Sequence, residues 1–465
     1  MGKAVKKKTK TVIIIIVCAI LFLAAAGFVS WKYLGLREVV RDYLQNKEYT
    51  PEKNEEGSEV VKKAVTSKDG KWIYAIYSDG TVTLTGYKGE EKNLSVPENV
   101  DGHTVTAIGV DCFNGNDTME EVTIPETVTS LEGFAFYDAQ ALTKVTLPQS
   151  LKTIRDGAFC YCNKLLEIVI PDGVTQINEG VFYGCEKLEK ITLPENLTAI
   201  ATSAFEGCAS VTSLEIPDSV MTIGDKAFRA CGALTDVNIP KSLKNVGEYV
   251  FNDTQISEAV IPEGMTEIPT AMFSSCPKLK KAVLPDGITR LGDYAFYGCV
   301  ALEEIELPEG VKSLGEYCFC SCNALKKINL PDGIDTMGNY TFSDCMALTD
   351  IDYPKTMIYI PPYAFAGCTG LTEFDIPDSV TQIGDYAFST CDNITEIVIP
   401  DGVTYIAPYA FSVMDNLKKV VVPDTTEEFG ECWVSGSTKV TIYCSEKSTA
   451  YEYAKANGVP TNTEN

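Results

Sequence analysis

The sequence predicts an α/β-type solenoid: about 14 stacked coils of 23 residues, each carrying a short parallel strand, closed by a hairpin at one end and a helix at the other. Three observations predict it. A proline column runs from Pro125 to Pro423 in steps of 23, with a single step of 22 from Pro240 to Pro262. A phenylalanine column runs from Phe113 to Phe411 with the same spacing and the same shortening. Apolar residues stand six, three and one positions before each proline, as Leu188, Ile191 and Leu193 do before Pro194.

The elements follow in order. Residues 1–10 hold five lysines and no acid, and read as a basic cytoplasmic tail. Residues 11–31, "TVIIIIVCAILFLAAAGFVSW", are 21 uncharged residues, long enough to cross a hydrocarbon core as a helix. The flanking lysines keep the N-terminus inside, so the reading is a single-pass signal anchor in the cell membrane with everything after Trp31 outside. Cleavage near Ala24 and Ala26, releasing a secreted chain, is the alternative. Residues 32–70 are charged and poor in large apolar side chains, which reads as a stalk with a short helix over 36–44.

Residues 71–110 contain "YAIYSDGTVTLTGY", two alternating runs around a Ser78-Asp79-Gly80 turn, and read as a hairpin cap. In the array itself, 111–423, the last two apolar positions before each proline alternate with polar ones, giving a strand buried on one side. Proline then removes a ladder donor and starts a turn. An apolar residue, another three later, often a glycine, and "AF" complete the coil. Residues 424–465 read as a closing cap with a helix between Ser448 as N-cap and Gly458 as stop.

The consensus C-x-x-L-x-x-I-x-I-P-x-x-V-x-x-I-G-x-x-A-F resembles the BspA-type leucine-rich repeat family over residues 72–459. That resemblance implies a horseshoe or superhelix with the short strands on the concave face. It also implies an extracellular bacterial surface protein engaged in attachment and interaction. The departures are the 22-residue coil, Thr254 in the cysteine column, and Pro269 and Pro361 in place of glycine.

Composition narrows the chemistry. Formal charge is −25, and only five arginines occur, scattered along the chain, so a phosphate backbone finds no counterpart. The single histidine, His103, lies in "VDGHTV" and reads as part of a turn or exposed loop, which leaves histidine-based triads and Cys/His zinc sites without material. No catalytic residue, metal or cofactor is assigned.

Several columns invite a site reading and each has a plainer one. Ten cysteines, Cys162 through Cys391, stand three residues after the phenylalanine. Equivalent positions point the same way, which suits buried thiols better than crossed disulfides. Cys432 and Cys444 fall outside the column, and a bridge between them is an open alternative. Acids follow the proline in 11 of 14 units, a turn preference or a calcium row. Tyr294, Tyr317, Tyr340, Tyr363 and Tyr386 form a row that serves either stacking between coils or a sugar- or peptide-binding strip. Four residues before each proline, charges of opposite sign alternate over much of the array, as Glu304 and Lys327 do. Two residues before the proline, Glu215, Asn238, Glu306, Asn329, Asp352 and Asp375 should face the concave solvent side, a face without aromatic anchors.

These readings converge on a non-catalytic surface scaffold that binds a protein or glycan on host or neighbouring cells. An envelope spacer without a ligand and a carbohydrate-active solenoid enzyme are the alternatives.

Overall fold

The computed structural model describes residues 53–463. The tail, the anchor over 11–31 and the stalk up to residue 52, with its short helix, lie outside the described residues. Among the described residues no helix is long and apolar enough to cross a membrane. They form one compact unit beginning at Lys53.

That unit is a β-solenoid of about 17 turns. The count exceeds 14 because both caps continue the stacking: Asn93–Ser95 pairs with Glu121–Thr123 at one end, and Thr441–Tyr443 and Thr461–Asn462 extend the ladder at the other. The N-terminal hairpin forms as expected from β2 (Trp72–Tyr77) and β3 (Val82–Tyr87). Part of the expected stalk joins it. β1 (Val60–Thr66) pairs antiparallel with β2, its lysines Lys62 and Lys63 facing water while Val65 packs on the core. His103 opens the strand His103–Ile108 rather than sitting in a loop, and its Nδ1 meets the Gly80 carbonyl at 2.9 Å. The helix α1 (Thr449–Asn457) has Ser448 accepting from the Tyr451 N–H and ends at Gly458 with φ 68°.

Nearly every coil has two strand faces, not one. The pre-proline strands, such as Glu304–Glu306 and Lys327–Asn329, pair parallel in register and bury only the middle residue. After the proline, a two-residue strand such as Arg290–Leu291 or Ser313–Leu314 pairs with its neighbours in a second ladder. Two residues are too few for a period-2 pattern to show in the sequence.

The rest of the coil is a turn edge built around the phenylalanine. The residues two before and two after it take left-handed backbone in every coil, from Asp111 and Gly115 to Cys432 and Gly436, which flank Val434 in the last. This conformation costs about 1–2 kcal/mol for each non-glycine residue. Three N–H groups per coil offset it by donating to the next coil: Phe134 to Asp156, Phe136 to Ala158 and Asp138 to Cys160, at 2.8–3.1 Å. Each such bond contributes about 0.5–1.5 kcal/mol net, so cost and gain are of one size and stacking decides the balance.

Inside, the phenylalanine rings form one unbroken stack from Phe113 to Phe411, with centroids 4.8–5.9 Å apart and planes within 16°. The widest step, Phe251 to Phe273, falls at the shortened coil. A tryptophan meets each end edge-on: Trp72 against Phe113 at 6.2 Å and Trp433 against Phe411 at 6.0 Å.

The post-proline ladder is not continuous. It divides between Ile154 and Ile177, between Val246 and Ile268, and between Met337 and Ile360. In intact stretches the glycine-position residue donates its N–H to the preceding coil, as Gly338 does to Leu314 and Gly384 to Ile360. Asn178 instead uses its side-chain amide on Ile154, and Pro269 and Pro361 have no N–H. The two prolines that depart from the repeat mark two of its three divisions. The turn edge crosses both: at the second, Tyr340, Phe342 and Asp344 donate to Pro362, Ala364 and Ala366 at 2.7–3.0 Å.

Candidate binding surfaces

The pre-proline strands set out a ruled surface. In-register pairing places Glu304 beside Lys327 and Glu306 beside Asn329, so the outward residues of successive coils form two parallel files. Glu215, Asn238, Glu306, Asn329, Asp352 and Asp375 all lie exposed in one of these files. Asn238 also ties two coils together, because its side chain accepts from the Ile216 N–H and donates to the Ile216 carbonyl, both at 2.7 Å. The same file contains residues that the sequence pattern does not single out. Val169, Val260, Val283 and Val398 are 43–63% exposed. Their signal is present in the sequence, since they occupy the column of the polar candidates, but an exposed valine cannot be told from a buried one by spacing alone.

In the other file, Lys327 and Asp350 close to 2.9 Å and Lys419 and Glu396 to 2.6 Å. Between these pairs the surface turns acidic, with Asp350, Asp352, Glu373, Asp375 and Glu396 on successive coils. Here the pre-proline ladder also lapses, from Asp350–Ile351 to Glu396–Val398. Like charges directly opposite one another oppose pairing. Phe374, where neighbouring coils carry Ile351 and Ile397, pushes a ring inward to meet Phe365 at 4.9 Å and Phe388 at 4.7 Å.

The tyrosine row lies on the turn edge, at the left-handed position before the phenylalanine. Tyr294, Tyr317, Tyr340, Tyr363, Tyr386 and also Tyr409 are half-buried and stack face to face, with centroids 4.2–4.8 Å apart and planes within 12°. Burial, helped by the neighbouring phenols, pushes Tyr317 and Tyr363 up to about 12. Because the ring faces cover one another, the row turns edges and hydroxyls outward. A sugar that stacks on a free aromatic face finds one only at the ends of the row.

A third feature is a cleft of about 350 Å³ in the N-terminal cap, lined by Ser67, Asp69, Lys71, Trp72, Tyr87 and Glu91 among others. Its polar groups satisfy one another. Lys71 and Tyr87 both bond to Glu91, holding its carboxyl down to about 2, and Ser67 donates to Asp69.

The cysteine column is structural chemistry. All ten thiols are fully buried, and each donates to the carbonyl of the preceding coil's phenylalanine at 3.1–3.3 Å, as Cys345 does to Phe319. Thr254 replaces a cysteine and turns its hydroxyl to the Phe251 carbonyl of its own coil. Ser437 takes the role at Phe411. Cys432 and Cys444 are free thiols, so no bridge joins them. Among the described residues no group of three His, Cys, Asp or Glu side chains is arranged to hold a metal, the Cys318-Cys320-Cys322 run and the acidic turn row included. Glu126, in that row, instead receives the N–H groups of Gln149 and Ser150 at 3.2 Å.

The profile of the BspA type leucine rich repeat region matches in overlapping copies over residues 92–454. Among solved structures, a leucine-rich repeat protein from Bacteroides ovatus is 25% identical, covering 85% of this chain and 98% of its own, with a TM-score of 0.70. A leucine rich cell surface protein from Faecalibacterium prausnitzii is 24% identical over 87% of this chain and 100% of its own, with a TM-score of 0.49. No curated protein matches the chain.

Proposed function

The chain belongs to the BspA-type leucine-rich repeat family, and on that premise we propose that it is a non-catalytic scaffold, displayed outside a bacterial cell, that binds a protein partner across its pre-proline face. The observation that carries this reading is the file of exposed valines beside an acidic sector. Val260 and Val283 sit on adjacent coils at 63% and 43% exposure, and Glu306, Asn329, Asp352 and Asp375 follow them on the next four. Apolar side chains held outward on a rigid, regularly spaced surface, with charge alongside, are what a protein interface uses for contact and orientation. Many such weak contacts sum along a stack of coils.

Display rests on the family, whose members are bacterial surface proteins, and on the apolar segment 11–31 behind its lysines. A protein ligand is favoured over a glycan because the stacked tyrosines present few free ring faces.

The test is binding of the full chain to a panel of matrix proteins, glycans and partner cells. The double variants Val260→Asp/Val283→Asp and Asp352→Lys/Asp375→Lys should each lose the protein partner, while Lys62→Glu in the cap keeps it. Failure to bind anything on the panel would sink the reading; retention of binding by both double variants would move the interface elsewhere.

A further inference from the structure

The tyrosine row and the divided ladder meet at one place. Tyr340 and Tyr363 stand on either side of the division at Pro361, and at 4.2 Å and 10° they are the closest pair of the row. The rings are stacked face to face, so the carbons beside one hydroxyl lie alongside the neighbouring ring. At the other proline division the equivalent residues are Tyr249 and Ala271, so no tyrosine pair spans it.

We propose that Tyr340 and Tyr363 are a site of oxidative phenol coupling, and that the resulting dityrosine staples the coils across the Pro361 joint. The co-reactant is a peroxide acting through a haem peroxidase. Each phenol gives up one electron and one proton, and the two phenoxyl radicals join through the ring carbons next to their oxygens. Those carbons then pass their protons back to the oxygens, restoring both phenols. The peroxide takes up the two electrons and two protons and leaves as two waters.

The joint selects this pair. A carbon–carbon bond requires the rings to close locally to about 1.5 Å. Tyr317 and Tyr340, at 4.4 Å, belong to coils whose spacing is pinned by the Ser313–Leu314 and Thr336–Met337 ladder. Between Thr336–Met337 and Tyr359–Ile360 that ladder is missing, so these two coils are held by one ladder fewer, with the turn-edge bonds such as Tyr340 N–H to the Pro362 carbonyl still in place. Trp72 and Trp433 are 5% and 0% exposed and the column thiols are fully buried, while the free thiol of Cys432 is partly exposed and Met221 and Met346 are exposed.

The experiment treats the full chain with hydrogen peroxide and a haem peroxidase, isolates the monomer, and maps cross-linked peptides by mass and dityrosine fluorescence. The expected result is a link between Tyr340 and Tyr363 with loss of two hydrogens, abolished by Tyr340→Phe and by Tyr363→Phe. Pro361→Gly, which restores a ladder donor, should reduce the yield at this pair. Absence of dityrosine from the wild-type monomer, or a link falling mainly on Tyr317–Tyr340 or Tyr363–Tyr386, would overturn the proposal whatever the variants do. An unchanged yield in a folded Pro361→Gly protein would overturn the role of the joint.

Discussion

By the repeat register Pro361 takes the place from which an N–H would reach the Met337 carbonyl of the preceding coil, and it has none to give, whereas Gly338 and Gly384 donate to Leu314 and Ile360 at 2.9 and 2.8 Å. One ring closure in the sequence thus coincides with a division of the ladder. Pro361→Gly should slow amide hydrogen exchange over residues 336–340 and 359–363. The change in global stability should stay within about 1 kcal/mol, since glycine gains a bond but loosens the unfolded chain. Unchanged exchange would show that the missing donor does not cause the division.

Cys345→Ser should retain most of the stability that Cys345→Ala loses. Serine keeps a donor for the Phe319 carbonyl, as Ser437 already does for Phe411 at 2.9 Å. Alanine strands that carbonyl and opens a void, for about 1–3 kcal/mol in a denaturant titration. Equal losses in the two variants would reduce the thiol to a space-filler.

How much of this could be read in advance depends on the length of the pattern. The phenylalanine and proline columns recur over hundreds of residues, so the stack, its caps and the burial of the cysteines were legible. The second ladder was not, because Arg290–Leu291 or Gln382–Ile383 is too short to alternate. β1 was missed because "VVKKAVT" points its charges at water and looks like stalk. The left-handed backbone at Tyr294 to Tyr409 was hidden for a different reason. Tyrosine is a poor choice there by local propensity, and the inter-coil N–H bonds together with the rings above and below offset the cost.

Alkali should destabilise the array in a defined window. Burial pushes the thiols of Cys231, Cys276 and Cys391 up to about 12 from an ordinary 9.0. The folded chain therefore holds protons that the unfolded chain releases between those values. Their stabilising contribution is complete below pH 9 and is lost as pH rises toward 12. Urea midpoints measured across this range should fall, and less steeply in Cys391→Ser. A flat profile would contradict the burial of neutral thiols.

Arg229→Met should be among the most damaging single changes in the N-terminal half. The guanidinium reaches Glu206 at 3.1 Å and Asn252 at 3.3 Å, and the side chains of Arg229 and Glu206 are only 16% and 9% exposed. Removing the cation leaves a carboxylate inside the turn edge, at about 3–5 kcal/mol by thermal or denaturant unfolding. Glu206→Gln in the same background should recover part of the loss, and failure to do so would place the damage in packing.

The ring stack between Trp72 and Trp433 also bears on inheritance. Within the stack each phenylalanine meets the one before and the one after, so duplicating a 23-residue segment lengthens the protein while repeating a contact it already makes. The coil that lost a residue shows the tolerance of the scheme: its ring pair opens to 5.9 Å and the stack carries on. Reach is therefore a quantity that recombination within the gene can adjust one coil at a time, while the two tryptophans fix where any such array must begin and end.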